Sequence, residues 1–285
     1  MKGDESEPDY ARDEAKEKSI FWYAENIDNE VTPDFRNFME VYSGIPHEKI
    51  LAHVYEIRDK AWVIRAYPCT GQGLFLNPLI TKSPAYHEIL EKLKSGGRLV
   101  EVGSFIGHDL RRLVFDGAPS ENMYAVDIVS HWDVGFDMFK DRQSFHVNFI
   151  ESDIVHPSTQ LLALSGTVDI IFISKVLHQW DHETQLAALR SIIALSKPGS
   201  IVVGFHAAVL DGGFIAYEKG SLKMWLHDAQ SWQEMWDEAG KKTGSKWNAG
   251  QVIMRDFGQL GNAPDALAWV GENCRMMDFV VRSIA

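Results

Sequence analysis

From Arg98 onward the chain alternates short apolar runs with amphipathic or polar stretches. Leu99–Val102, Met123–Asp127, His146–Ile150, Val168–Ile173 and Ser200–Phe205 read as five strands, short and rich in β-branched residues. The clearest helix is His182–Ser196, where Leu186, Leu189, Ile193 and Leu195 form a stripe that ends before Lys197-Pro198-Gly199. Strand and helix in repeated alternation predict an α/β fold, a parallel sheet covered by helices on both faces. A helix at Ser231–Ala239 precedes two further strand candidates, Lys246–Met254 and Met276–Ile284. A loop carrying Asn262-Ala263-Pro264 separates these two, which suits an antiparallel closing pair. Upstream the pattern is loosely helical, with Phe35, Phe38, Met39 and Tyr42 as inward candidates. The stretch YPCTGQG from Tyr67 breaks that pattern as a loop, and a helix at 85–94 resumes it before Gly96-Gly97. Residues 1–18 alternate acids and bases with almost nothing to bury and read as a disordered tail. The organisation expected is therefore a tail at 1–18, a helical cap at 19–95 and an α/β domain at 96–285.

Charge narrows the partners. The chain of 285 residues carries a net charge of −12, and no basic block interrupts the acidic balance. Nucleic acid is not an expected partner, because phosphate neutralisation needs clustered Lys and Arg. The two cysteines, Cys69 and Cys274, form no CxxC pair, so neither a disulfide scaffold nor a metal site is expected. The acidic opening MKGDESEPDY is unlike a signal peptide, and runs such as VDIIFI are too short to span a bilayer. A cytoplasmic protein is the expectation, with a homodimer left open.

The stretch LVEVGSFIGHDLRRL, Leu99 to Leu113, holds the candidate chemistry. Strand, glycine turn and helix in succession place a backbone close to a ligand at the carboxyl edge of a doubly wound sheet. The spacing E-x-G-x-x-x-G is neither a dinucleotide fingerprint nor a P-loop: Phe105 stands where a small residue would admit a pyrophosphate, and no Gly-Lys-Ser/Thr follows. Asp127, ending the second strand, is positioned to accept ribose hydroxyls, and Asp153, after the third, to meet an adenine amine. An adenosine without phosphates fits this set, and a sulfonium on it suits the acidic rim to which Glu101 contributes.

The segments EVGSFIG, YAVD, ESDI and VDIIFISKVLH resemble, in order, the motifs of class I S-adenosylmethionine-dependent methyltransferases. The resemblance implies a Rossmann-like sheet, S-adenosyl-L-methionine as cofactor and S-adenosyl-L-homocysteine as product. It carries cofactor binding onto Glu101, Gly103, Ser104, Gly107, Asp127, Ile128, Asp153, Ile154 and Ser174. From Trp22 onward YSGIP, RDKAWVIRAYPCTGQGLFL, GHDLRRLVFDGAPSENMYAVDI, KPGSIVVG and TGSKW resemble the small methyltransferases of fungal meroterpenoid pathways. That family implies O-methylation of an apolar terpenoid- or polyketide-derived small molecule, several members acting on a carboxyl group. The chain departs from it at Phe205-His206, where the family carries Arg-Gln.

A carboxylate acceptor is already ionised and needs no base, whereas a hydroxyl does. His178, just after the fourth strand, is the candidate for either task, positioning the acceptor or taking its proton. Tyr67, Gln72 and Phe75 are candidates for a lid, and His206 and Trp225 for the acceptor pocket; Lys175 reads as a solvated neighbour of the cofactor loop. The adopted reading is carboxyl O-methylation. Its alternatives are a hydroxyl or phenol acceptor, a non-methylating rearrangement or pericyclic step beside the sulfonium, and a degenerate binding-only protein.

Overall fold

The computed structural model describes residues 17–211, 213–216, 223–260 and 273–284. The expected tail lies outside them except for Glu17 and Lys18, and so does the loop around Asn262-Ala263-Pro264. Lys18 is anchored, its ammonium 2.8 Å from Asp59.

Among the described residues four α-helices precede the first strand: α1 (Pro33–Val41), α2 (His47–Ile64), α3 (Pro68–Gly71) and α4 (Tyr86–Lys94). Thr32 starts α1 by accepting the Phe35 N–H on its hydroxyl, with Pro33 at the first helical position. The stripe Phe35, Phe38 and Met39 then packs inward against Ile50, Val54 and Ile57 of α2. The stretch expected as a loop at Tyr67–Gly73 is ordered. Extended Tyr67 leads into Pro68 at the first position of α3, and Gly73 at φ 71° turns the chain into a 3-10 turn at Leu74–Leu76.

The α/β part runs β1 (Leu99–Val102), α5 (His108–Phe115), β2 (Met123–Asp127), α6 (Trp132–Phe139), β3 (Asn148–Glu151), α7 (Thr159–Leu162), β4 (Val168–Ser174), α8 (His182–Leu195) and β5 (Ser196–Val209). A hairpin of β6 (Gly213–Ala216) and β7 (Lys223–Leu226) follows, then α9 (Ala229–Thr243), β8 (Lys246–Arg255) and β9 (Cys274–Ile284). The main sheet has the order β3-β2-β1-β4-β5-β9-β8. Its first five strands are parallel, and β9 lies antiparallel between β5 and β8. This is the expected fold class, with the expected closing pair.

Both faces of the sheet are buried, so alternate residues of each strand enter opposite cores. Leu99, Met123, Ile170 and Phe172 pack with α4 and α5, while Val100, Val126, Ile171 and Ile173 pack with α8 and α9. A third core joins the N-terminal helices to the rest: Phe35, Phe38, Ile50 and Phe75 meet Phe105, Ile106 and, from α6, Val134, Met138 and Phe139. The order of strands reverses between β1 and β4, and the crevice above that switch point is where such sheets bind ligands.

Candidate active site

The parallel register sets out a row of residues at the carboxyl edge. Val102 lies opposite Val126 and Ile173, Asp127 opposite Glu151, and Ser174 opposite Phe205. Gly103, Asp127 and Ser174 thus emerge side by side, with Ser152 and Asp153 following Glu151 on the outer strand.

The turn after β1 is held by its neighbours rather than by a phosphate cradle. Gly103 (φ 75°) and Ser104 both donate their N–H to the Val126 carbonyl, at 2.8 and 3.1 Å. A Cβ on Gly103 would come 2.3 Å from Val176 Cγ2, and one on Gly107 (φ 68°) 2.8 Å from Arg111 and Trp132. Both glycines are therefore needed where the turn packs on protein. Phe105 adopts a left-handed backbone (φ 49°), and its N–H donates to Asp127 Oδ2 at 2.7 Å. Its ring lies between Phe75 (5.5 Å) and His131 (4.7 Å).

Glu101 is almost fully buried, and its Oε2 has no hydrogen-bond partner among the described residues. Burial, with the Asp109 and Asp127 carboxylates nearby, holds its pKa well above the usual carboxylate range. A buried carboxyl without a partner is costly, and a cationic ligand would relieve it. The hydroxyls of Ser104 and Ser174 are likewise buried without partners among the described residues. Asp127 also accepts the Val129 N–H on Oδ1 at 3.4 Å. Asp153 is buried; Oδ1 accepts from Val155 at 2.8 Å and Oδ2 faces His156 at 3.3 Å. Ile128 is half-buried at the end of β2, whereas Ile154 is buried in the core beneath α8. One Glu101 oxygen and two serine hydroxyls without partners among the described residues, beside the Asp127 and Asp153 carboxylates, fit a cationic adenosine cofactor.

His178 sits in the 3-10 turn Leu177–Gln179 after β4. Its Nδ1 accepts the Ala207 N–H at 3.4 Å, which leaves the proton on Nε2. Burial first, and the Lys175 charge second, lower its pKa to about 4. The ring is a neutral donor at physiological pH.

Other expected site residues lie elsewhere. β5 continues to Val209 because β9 pairs with it as far as Cys274, so His206 is inside the strand rather than at its end. Its ring is buried edge-on to Trp232 (4.6 Å) and 5.1 Å from Phe279, under α9 rather than in the crevice. Burial drives its pKa well below the ordinary value. Trp232 and Trp236 are core residues. Trp225, on β7, packs over the start of α8: its N–H donates to the Trp180 carbonyl at 3.0 Å, and its carbonyl accepts from Gln185 at 2.8 Å. Tyr67 and Gln72 bracket α3, both half-buried, and Phe75 is a buried wall of the glycine turn, so this segment is a fixed part of the core rather than an open loop. Lys175 is half-buried rather than freely solvated, and its backbone stands at φ 58° with its N–H on the Phe205 carbonyl at 2.6 Å. A further feature had no signal in the sequence, the buried pair of Arg111 and Asp141 beneath the turn.

Residues 22–76 match a family model described as the meroterpenoid methyltransferase N-terminal domain. The O-methyltransferase atr3 of Stereocaulon alpinum is 36% identical over 248 residues, 85% of this chain and 71% of the relative. The Asnovolin E/Chermesin D methyltransferase nvfJ of Aspergillus novofumigatus is 36% identical over 219 residues, 75% of this chain and 78% of the relative. Among solved structures, the Burkholderia thailandensis 1,6-didemethyltoxoflavin-N1-methyltransferase with bound S-adenosylhomocysteine has the same fold. It superimposes with a TM-score of 0.52 at 16% identity, over 85% of this chain and 91% of that one.

Proposed function

The chain belongs to the meroterpenoid methyltransferases of fungal secondary metabolism, enzymes dependent on S-adenosylmethionine, and from that premise we propose that it methylates a carboxyl oxygen of an apolar acid. The acid is terpenoid- or polyketide-derived. When bound, the sulfonium supplies a methyl electrophile: the O–CH3 bond forms as the S–CH3 bond breaks, the electron pair leaves on sulfur, and S-adenosyl-L-homocysteine remains.

The chain's own residues bind and orient. Asp127 accepts the ribose hydroxyls beside Ile128, Asp153 serves the adenine end, and the Glu101 carboxyl, whose Oε2 has no partner among the described residues, meets the cofactor's positive charge; Ile154 packs beneath this end in the core. Ser104 and Ser174 add donors, while Gly103 and Gly107 let the turn pack against Val176, Arg111 and Trp132. Residues 19–95 form the cap over a cofactor domain at 96–285, and Phe75 couples the two through Phe105.

The state of His178 carries the choice of acceptor. A base for a hydroxyl needs a free ring nitrogen and a pKa near the working pH. Here Nδ1 is engaged by a backbone N–H and burial keeps the pKa at about 4, so the ring can donate from Nε2 and is a poor proton acceptor. A carboxylate needs no proton removed and gains from such a donor. Because the folded-state pKa lies below the ordinary 6.5, the neutral ring stabilises the fold above that pH, and this contribution is lost as the pH falls toward 4.

His178→Ala is accordingly expected to raise KM about tenfold, the order of one lost hydrogen bond to a charged group, with kcat and cofactor affinity little changed. The wild-type rate should be level from about pH 6 to 8. Steady-state kinetics across that range checks both. A hundredfold fall in kcat with a rate that climbs through neutrality would make His178 the base of a hydroxyl methyltransferase instead.

A further inference from the structure

Lys175 follows the last residue of β4, at the row where the cofactor-facing residues emerge. Its backbone is pinned on both sides. The N–H donates to the Phe205 carbonyl at 2.6 Å and the carbonyl accepts from Gln179 Nε2 at 2.9 Å, across a left-handed conformation. A side-chain-bearing residue adopts that conformation at a cost of about 1 kcal/mol or more and keeps it only where the surroundings determine it. The placement of this lysine is built into the turn.

Its charge is poorly matched by the protein around it. The groups whose fields reach it are Glu30 and Cys69 from the N-terminal helices, Asp109 from the first turn of α5, and His178. No carboxylate among the described residues comes within ion-pair distance of its ammonium group. Asp109 is already committed to His108 at 3.0 Å and to the Ile80 N–H at 2.8 Å, and Glu30 accepts from Asn77. The buried arginines among the described residues are engaged: Arg58 donates to the Ala24 and Gly71 carbonyls and to Tyr23, and Arg111 pairs with Asp141. In a chain of net charge −12, Lys175 is thus a half-buried cation with no carboxylate partner among the described residues.

We propose that Lys175 binds the carboxylate of the methyl acceptor, with the Nε2–H of His178 as a second donor, and so selects an acid over its neutral analogues. The inference rests on the carboxyl reading above. An ammonium group is a point donor on a flexible stem, so it engages one carboxylate oxygen and leaves the other with its lone pairs for attack. Desolvation penalises a half-buried cation, and a carboxylate entering beside it favours the charged form. No proton moves in this arrangement, which keeps the lysine in a binding role.

The test uses the full chain loaded with S-adenosylhomocysteine, and two probes: 3-farnesyl-2,4-dihydroxybenzoic acid and its primary amide. Calorimetry should show the wild type binding the acid more tightly than the amide. Lys175→Met should lose about ten- to a hundredfold in affinity for the acid and little for the amide. Lys175→Arg, which keeps the charge, should hold the acid within a few-fold of wild type. Equal losses for acid and amide, or an unchanged acid affinity in Lys175→Met, would overturn the proposal. Turnover of the same acid separates it from the reading beneath it. A methyl ether as product would overturn carboxyl methylation whatever the variants do, whereas a methyl ester made with unchanged KM by Lys175→Met would overturn only the role of Lys175.

Discussion

Arg111→Ala is expected to destabilise the protein by about 3–5 kcal/mol, the usual cost of removing one partner of a buried ion pair. The guanidinium is fully buried and holds Asp141 with two bonds, at 2.6 and 3.1 Å. Its third nitrogen donates to the Ile106 carbonyl at 2.5 Å and approaches that of Gly107 at 3.4 Å, so it clasps the glycine turn from below. Aromatic rings surround it, with Phe145 and Phe139 at 4.1 and 4.8 Å from its carbon. Tyr42 reaches the same Asp141 carboxylate at 2.8 Å, which ties α1 to the α/β part. Alanine would leave Asp141 buried and without its counter-charge. Against a typical total stability of about 5–15 kcal/mol, that loss is a large fraction. Urea denaturation of Arg111→Ala, Asp141→Asn and the double variant would measure it. The double variant should recover part of the loss, and a single-variant loss below about 1 kcal/mol would show that the cluster is not a structural keystone.

Asp127→Ala is expected to weaken S-adenosylhomocysteine binding by about ten- to a hundredfold, or about 1.5–3 kcal/mol. Two effects combine. The proposed ribose acceptor disappears, and so does the bond that holds Phe105 at φ 49° against Phe75 and His131. Asp127→Asn keeps an acceptor oxygen for the Phe105 N–H and should bind with intermediate affinity. Titration calorimetry on the folded variants measures this directly, and an unchanged affinity would remove Asp127 from the site.

The parts of the fold that were legible in the sequence are those decided locally. β1 and β2 begin and end where expected, because apolar residues buried on both faces give way abruptly to Gly103 and to the turn after Asp127. The missed boundaries depend on distant partners. β5 is extended past Phe205 by pairing with β9, and this turned His206 from an expected strand-end residue into a core residue. The β6–β7 hairpin was not visible, since its short strands lack a strong alternation. Pro68 and Gly73 suggested a loop, whereas Pro68 begins α3 and Gly73 links it to the next turn.

The site divides in the same way. The row at the carboxyl edge follows from strand order and was legible from Glu101, Gly103, Asp127 and Asp153. The protonation state of His178 depends on the backbone of β5, and the isolation of Lys175 on what Asp109 and Glu30 bond to instead. Neither is written in local sequence. Lys175 lay within a matched motif, but nothing in a linear string distinguishes a solvated lysine from one pinned at φ 58° between the Phe205 carbonyl of β5 and the Gln179 side chain.

The most direct test of the central claim is transfer of label from S-adenosylmethionine carrying a radioactive methyl group to 3-farnesyl-2,4-dihydroxybenzoic acid. A labelled methyl ester is expected, with one S-adenosylhomocysteine for each ester formed. Conversion of the acid with no S-adenosylhomocysteine released, or label recovered only in a methyl ether, would contradict it.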